Sequence, residues 1–237
     1  MLDVVSEEDE LPEAPILLDA DAKFYKRMSP EEVGINRTFL FFVGFETTAT
    51  GLCYLAYILA KHQDVEEKAH EEIKSVKEPH GQLGCTAVTQ ALKYLTRVVD
   101  ETLRMFPPVV TFTTRSAAND FEYDGIKYKA GTNFLSPTIQ VHMDPRIWPE
   151  PEKFNPDRFL PENVAARPTI AYQRFGEGPR NIIGKRLALL ENIYTGERMV
   201  EKFEFTLGES QKGRMIMDYH ATVSSPGNGP YIMFQRL

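Results

Sequence analysis

The sequence predicts a mainly α-helical fold with a small β region, an α+β arrangement. Three observations carry this. A proline-free run follows the start signal Ser29-Pro30-Glu31-Glu32 and continues to about Lys61. Ala87 to Phe106 and Lys185 to Val200 place apolar residues at helical spacing: Leu92, Leu95, Val99, Leu103 and Phe106 in one, Leu187, Leu190 and Ile193 in the other. Strand signals are short and confined to 109–137 and the C-terminal segment.

In chain order, the first segment is MLDVVSEEDELPEAP. Glu, Asp and Pro dominate residues 1–28, which read as a poorly ordered acidic lead-in, neither a signal peptide nor a membrane anchor. Residues 29–237 read as one domain or part of a larger one. Ser29 can cap the first helix, Pro30 suits its first turn, and Glu32 completes a capping box. Between Phe39 and Ala60 this helix is apolar almost all round, as in a helix buried in a large protein or one crossing a membrane. Glu46, Thr47, Thr48, Thr50 and Gly51 lie near its centre. A carboxylate at mid-bilayer is costly, which favours the buried reading and keeps a single-span membrane protein over 38–60 as an alternative. Asp64 to Val76 reads as an exposed, charged second helix ended by the Pro79–Gly84 stretch, and the third helix runs to Pro107-Pro108. Tyr123-Asp124-Gly125-Ile126 marks a hairpin. His142-Met143-Asp144-Pro145 opens a turn, and neither His142 nor His220 reads as a metal ligand. Four prolines make 145–172 a loop-rich meander. Phe203-Glu204-Phe205 and Tyr231 to Phe234 read as closing strands, with Ser224 to Gly229 as the turn before the last.

A net charge of −7 argues against nucleic acid as a partner. The two cysteines, Cys53 and Cys85, are not spaced as a metal site and suggest no disulfide framework, so a reducing compartment is the default.

The stretch that points to chemistry is Phe175-Gly176-Glu177-Gly178-Pro179-Arg180-Asn181-Ile182-Ile183-Gly184, directly before a helix. Glycine lets backbone approach a flat or anionic ligand closely. Two phosphate readings fail. A P-loop needs four residues between its first glycine and Gly-Lys, then Ser or Thr, whereas Gly178 and Gly184-Lys185 are separated by five and Arg186 follows. A dinucleotide fingerprint from Gly176 would need Gly or Ala at Asn181. Elsewhere, Glu101 and Arg104 stand three apart on one helical face. A Thr hydroxyl at 47 can bond the carbonyl one turn back and open a notch in the helix, where a neighbouring carboxylate can relay protons.

Phe175, Gly178, Arg180 and Gly184 fall in register with Phe-x-x-Gly-x-Arg-x-Cys-x-Gly, and the loop resembles the haem-binding loop of the cytochrome P-450 family. Val43-Gly44-Phe45-Glu46-Thr47-Thr48 resembles the family's distal-helix motif, with Val43 in place of a small residue. Glu101-Thr102-Leu103-Arg104 resembles its Glu-x-x-Arg motif, and Phe154 to Phe159 its proline-rich segment with Arg158. The four occur in the family's order, and Gly-Pro-Arg-Asn-x-Ile-Gly is most like animal microsomal members. The resemblance implies the C-terminal half of the family's fold, with haem as cofactor and Glu46 and Thr47 in proton delivery. It implies Arg115 and Arg180 on the propionates, Phe175 packed near the proximal loop, Gly178 and Gly184 shaping it, and a buried triad of Glu101, Arg104 and Arg158. It further implies monooxygenation of an apolar small molecule with electrons from NADPH through a flavoprotein reductase. Intact members sit in the endoplasmic reticulum membrane, while no anchor is read in this chain. One position departs: Ile182 stands where the iron-ligating cysteine belongs, so no metal ligand is assigned. With that residue and a half-length match, catalysis by this chain alone is not expected. The rival reading is a non-catalytic remnant that binds haem weakly or only a protein partner.

Overall fold

The computed structural model describes residues 28–111, 114–211, 215–220, 222–227 and 229–237. The acidic lead-in therefore lies outside the described residues except for Met28, as do Thr113 and Asn228. The chain falls into two units, Met1–Phe39 and Leu40–Leu237.

Helix α1 spans Pro30–Lys61. Its capping box is formed: Ser29 N donates to Glu32 Oε2 at 2.8 Å and Glu32 N donates to Ser29 Oγ at 3.2 Å. From Leu40 onward the helix has two regimes. Leu40, Phe41, Phe42 and Phe45 are exposed, and Tyr54 to Ala60 are buried. The sequence is apolar in both, so the difference lies in what packs against it. Helix α7, Lys185–Lys202, approaches the C-terminal half of α1 closely. A Cβ on Gly51 would meet Asn192 Oδ1 at 2.9 Å, and one on Gly196 would meet Leu55 Cδ2 at 2.9 Å. Both contacts are closer than real Cβ atoms come, so a larger residue at either position would force the end of the Asn192 or Leu55 side chain to shift.

Helix α2, Gln63–His80, continues through Pro79 instead of stopping there. A proline in the last turn removes a single ladder bond, and the helix ends at Gly81, whose φ of 67° lets its N–H reach Lys77 O at 2.7 Å. The third helix expected over Ala87–Phe106 is two: α3, Cys85–Ala91, and α4, Lys93–Met105. The cause of the break is on α2. The Glu72 carboxylate accepts Tyr94 N at 2.6 Å and Leu95 N at 2.9 Å, capping α4 from a neighbouring helix and restarting it after Leu92. The core joins α1, α2, α4 and α7 around Leu55, Leu59, Ile73, Leu95, Val99 and Ile193.

Among the described residues, four two-stranded antiparallel ribbons complete the fold. β1 (Thr114–Ser116) pairs with β4 (Asn133–Leu135), and β2 (Phe121–Tyr123) with β3 (Ile126–Tyr128). β5 (Phe203–Leu207) pairs with β8 (Ile232–Arg236), and β6 (Met217–His220) with β7 (Val223–Pro226). The β2–β3 turn places Asp124 at φ 52° and Gly125 at φ 75°, as a two-residue hairpin with both central residues left-handed requires. Ser224 to Pro226, expected in a turn, lie in β7. Ser224 N donates to Pro108 O at 2.8 Å and its Oγ bonds Pro107 O at 2.6 Å, so the segment is tied to the end of α4 and held extended. His142, expected in a turn, is the last residue of helix α5, Thr138–His142, and is fully buried. A short helix α6, Pro161–Ala166, and 3₁₀ turns at Pro156–Phe159 and Thr169–Ala171 occupy the proline-rich meander.

Candidate functional site

The glycine loop begins where Phe175 leaves the core, its ring packed against the buried cluster. Gly176 and Gly178 have φ of 72° and 79°, left-handed positions that favour glycine. Gly176 N bonds Gln173 O at 3.0 Å, and Ile182 N bonds Phe175 O at 3.0 Å, closing the loop on itself. Gly178–Arg180 make one 3₁₀ turn and Gly184 precedes α7. Arg115, on β1, reaches across: its Nη2 donates to Glu177 O at 2.5 Å and its Nη1 to Thr114 O at 2.7 Å. A Cβ on Gly178 would lie 3.4 Å from Arg115 Nη2. The structure thus brings Arg115 against Glu177 and Gly178, while Phe175, at the start of the loop, packs on the core. Arg180 and Gly184 are exposed on the same loop.

Glu46 is exposed on α1, and Thr47 Oγ1 donates to Val43 O at 2.8 Å, the back-bond that competes with the helix ladder. Among the described residues no hydrogen bond or ion pair joins Glu46 or Thr47 to the loop. At the other end of α1 a cavity of about 560 Å³ is lined by Tyr57, Met105, Phe106, Met143, Met215 and Met217 among others. Ten residues separate Thr47 from Tyr57, about 15 Å along the helix, so this cavity is not the neighbourhood of the threonine.

Behind the loop lies a buried charged network. Glu101 and Arg104 have fully buried side chains. Arg104 Nε donates to Glu101 Oε2 at 2.7 Å and Nη2 to Oε1 at 3.0 Å. Arg158 Nε lies 3.3 Å from Glu101 Oε1, which also accepts Asn155 N at 3.0 Å. Arg104 has further acceptors in His142 O at 2.6 Å and Pro151 O at 2.7 Å, and stands over the Trp148 ring at 5.1 Å. Every guanidinium nitrogen of Arg104 is used, which is what a charge removed from water demands.

Three residues that the sequence did not single out, Asp100, Tyr172 and Arg174, complete this network together with His142, expected in a turn. Tyr172 OH donates to Asp100 O at 2.6 Å, and its burial pushes the phenol well above its ordinary value. Arg174 pairs with the Asp100 carboxylate and donates to Tyr172 OH at 3.0 Å, and burial lowers its guanidinium to about 9. His142 is held at about 4 by burial, hence neutral at pH 7. No shared motif or spacing marks these residues: Asp100 lies on α4, His142 ends α5, Tyr172 and Arg174 lie in the segment before the loop, and only three-dimensional packing brings them together.

A porphyrin asks for backbone free of side chains at its face, cations for its carboxylates and a lone pair for its iron. Gly176, Gly178 and Arg115 meet the first two demands. Ile182 fails the third, being hydrocarbon with no lone pair to offer.

The family profile described as Cytochrome P450 matches residues 7–233. Probable cytochrome P450 6a23 of Drosophila melanogaster is 36% identical over 206 residues, covering 86% of this chain and 41% of that protein. Cytochrome P450 3A17 of Cavia porcellus is 36% identical over 192 residues, covering 81% of this chain and 38% of its own length. Cytochrome P450 3A29 of Sus scrofa is 37% identical over 181 residues, covering 76% and 36%. The chain therefore spans about two-fifths of the length of these relatives. On the profile match over nearly its whole length, the chain belongs to the cytochrome P450 family.

Proposed function

We propose that this chain carries the porphyrin cradle of a haem monooxygenase without the thiolate that activates its iron. The observation that supports this is the glycine loop crossed by Arg115 and ending in Ile182. The exposed guanidinium can pair with a propionate through its fork, with Arg180 available for a second. Phe175 supplies apolar contact, and Gly178 keeps the backbone clear. When bound through a cysteine, haem supplies oxygen activation, which depends on electron density from the thiolate. Residue 182 cannot supply it, and no catalytic step is assigned to this chain. Glu46 and Thr47 are proposed for proton delivery only in a ligand-competent form. In such a form the substrate is an apolar small molecule, NADPH supplies electrons through a flavoprotein reductase, and the setting is the endoplasmic reticulum membrane.

The test is the reduced carbon monoxide difference spectrum of the purified chain after haem addition. The unmodified chain gives weak binding and no thiolate-type red-shifted band. Ile182→Cys gains that band, because the rest of the loop is in place. A red-shifted band from the unmodified chain, or none from the variant despite bound haem, overturns the proposal.

A second reading rests on α1, the one described helix long and apolar enough to cross a membrane. Its exposed residues Leu40 to Phe45 favour it, whereas Tyr54 to Ala60 are already covered by protein. Resistance of the chain to carbonate extraction from membranes would support the span.

A further inference from the structure

We propose that His142 is a positioning residue that sets the glycine loop through a single neutral tautomer, linking it to the Glu101–Arg104 pair; the functional meaning of this rests on the porphyrin-cradle reading. The geometry assigns the tautomer. Gln173 N lies 2.9 Å from His142 Nε2, and a backbone N–H can only donate. Nε2 must therefore carry a lone pair, which leaves the proton on Nδ1, where it is donated to Arg104 O at 3.1 Å. The His142 carbonyl in turn accepts Arg104 Nη1 at 2.6 Å. One residue thus engages α4 twice and the chain entering the loop once.

The position along the chain makes this more than a core contact. Gln173 stands two residues before Phe175, and its own carbonyl accepts the N–H of Gly176, the first left-handed residue of the loop. His142 fixes the N–H of Gln173, the Gln173 carbonyl fixes Gly176, and the Phe175 carbonyl fixes Ile182 N. The bonds run in series from the buried ion pair to the residue in the ligand position. The ring is fully buried among Trp148, Tyr172 and the Arg104 backbone, with ring centroids 6.4 Å and 5.4 Å away for the two aromatics. The charged groups nearest the network are Arg104 and Glu101 on α4, Arg158 against Glu101, Asp100 with Arg174, and Arg167 above Trp148. Burial beside Arg104 disfavours a second proton on the ring.

The test uses the full chain, kept soluble in mild detergent and without haem. In protein labelled with ¹⁵N-histidine, one of the five histidines shows a neutral ring with unprotonated Nε2 that persists below the pH at which the others titrate. Hydrogen exchange read by mass spectrometry then compares His142→Asn, which cannot reach Gln173 N, with His142→Gln, whose amide oxygen can. Peptides covering Gly176–Ile182 exchange roughly tenfold faster in His142→Asn, the factor expected of one lost hydrogen bond. Peptides of α7 and α1 are unchanged, and His142→Gln restores the loop. Uniform acceleration throughout the chain, an unchanged loop, or a buried histidine protonated on Nε2 overturns the proposal. Failure of Ile182→Cys to give a red-shifted band leaves these observations standing and removes only the cradle reading.

Discussion

Replacing Glu101 by alanine removes an acceptor used by four donors: Arg104 Nε and Nη2, Asn155 N and Arg158 Nε. The consequence follows from burial. The Arg104 side chain has no solvent contact, so it cannot exchange its lost partner for water. A buried pair broken on one side costs about 3–5 kcal/mol, most of it the stranded charge. Arg158 differs. Its side chain is 9% exposed and keeps Glu150 O at 2.8 Å, and removing it leaves Glu101 paired with Arg104. Arg158→Ala is therefore expected to cost about 1–3 kcal/mol, the range for one charge-assisted bond lost from a partly buried site. In Glu101→Ala Arg158 has already lost its partner, so in the double variant the two effects are less than additive. Urea unfolding followed by the fluorescence of Trp148, the sole tryptophan and a neighbour of Arg104, reports the midpoints. A loss below about 1 kcal/mol for Glu101→Ala would place the pair among surface ion pairs and refute the reasoning.

Burial beside Glu204 raises the Glu66 carboxyl to about 7, while it accepts Phe205 N at 2.8 Å. A carboxyl whose folded value exceeds its unfolded one favours folding when protonated, so this contribution is full below about 4.5 and is lost as pH rises through 7. Glu66→Gln, which keeps an acceptor and cannot ionise, should flatten the fall in unfolding midpoint between pH 5 and 8 by about 1–2 kcal/mol, screening by water included; an unchanged pH profile would contradict this. Glu72→Ala removes the cap on α4 and should cost about 1–2 kcal/mol in the same urea assay, whereas Glu72→Asp should keep part of it. Leu40, Phe41, Phe42 and Phe45 form an exposed apolar stretch on α1 and should drive association. Light scattering should show aggregation in plain buffer, reduced by detergent or by Phe41→Ser with Phe45→Ser. A monodisperse monomer of the unmodified chain would contradict this.

What the sequence revealed of the fold tracks the range of the interactions that specify it. The start of α1 was legible because Ser29 and Glu32 satisfy each other within one turn. The β2–β3 hairpin was legible because Asp124-Gly125 encodes its turn locally. The division of α3 from α4 was not, because its cause, Glu72, lies more than twenty residues upstream. Ser224 read as a turn residue for the same reason: by composition it belongs in a loop, and its anchors at Pro107, Pro108 and Tyr54 are distant in sequence. At the site, the Glu-x-x-Arg spacing nominated Glu101, and the resemblance to the family nominated Arg115. Neither could nominate His142, whose meaning lies in facing Gln173 and Arg104 at once.

The loop also separates two properties that a ligand motif normally joins, its shape and its reactivity. The bonds that shape it are backbone bonds, one from Arg115 and, on the chain entering it, one to His142: Gly176 N to Gln173 O, Asn181 N to Gly178 O, Ile182 N to Phe175 O, Arg115 Nη2 to Glu177 O, and Gln173 N to His142 Nε2. None uses the side chain of residue 182. That side chain is half-buried, and its neighbour Ile183 is almost fully exposed, so neither isoleucine anchors the loop in the core. Exchanging isoleucine for the smaller cysteine therefore removes little packing and breaks none of these bonds. The shape persists whether or not an iron ligand is present, and the substitution at 182 changes only what the loop can bind.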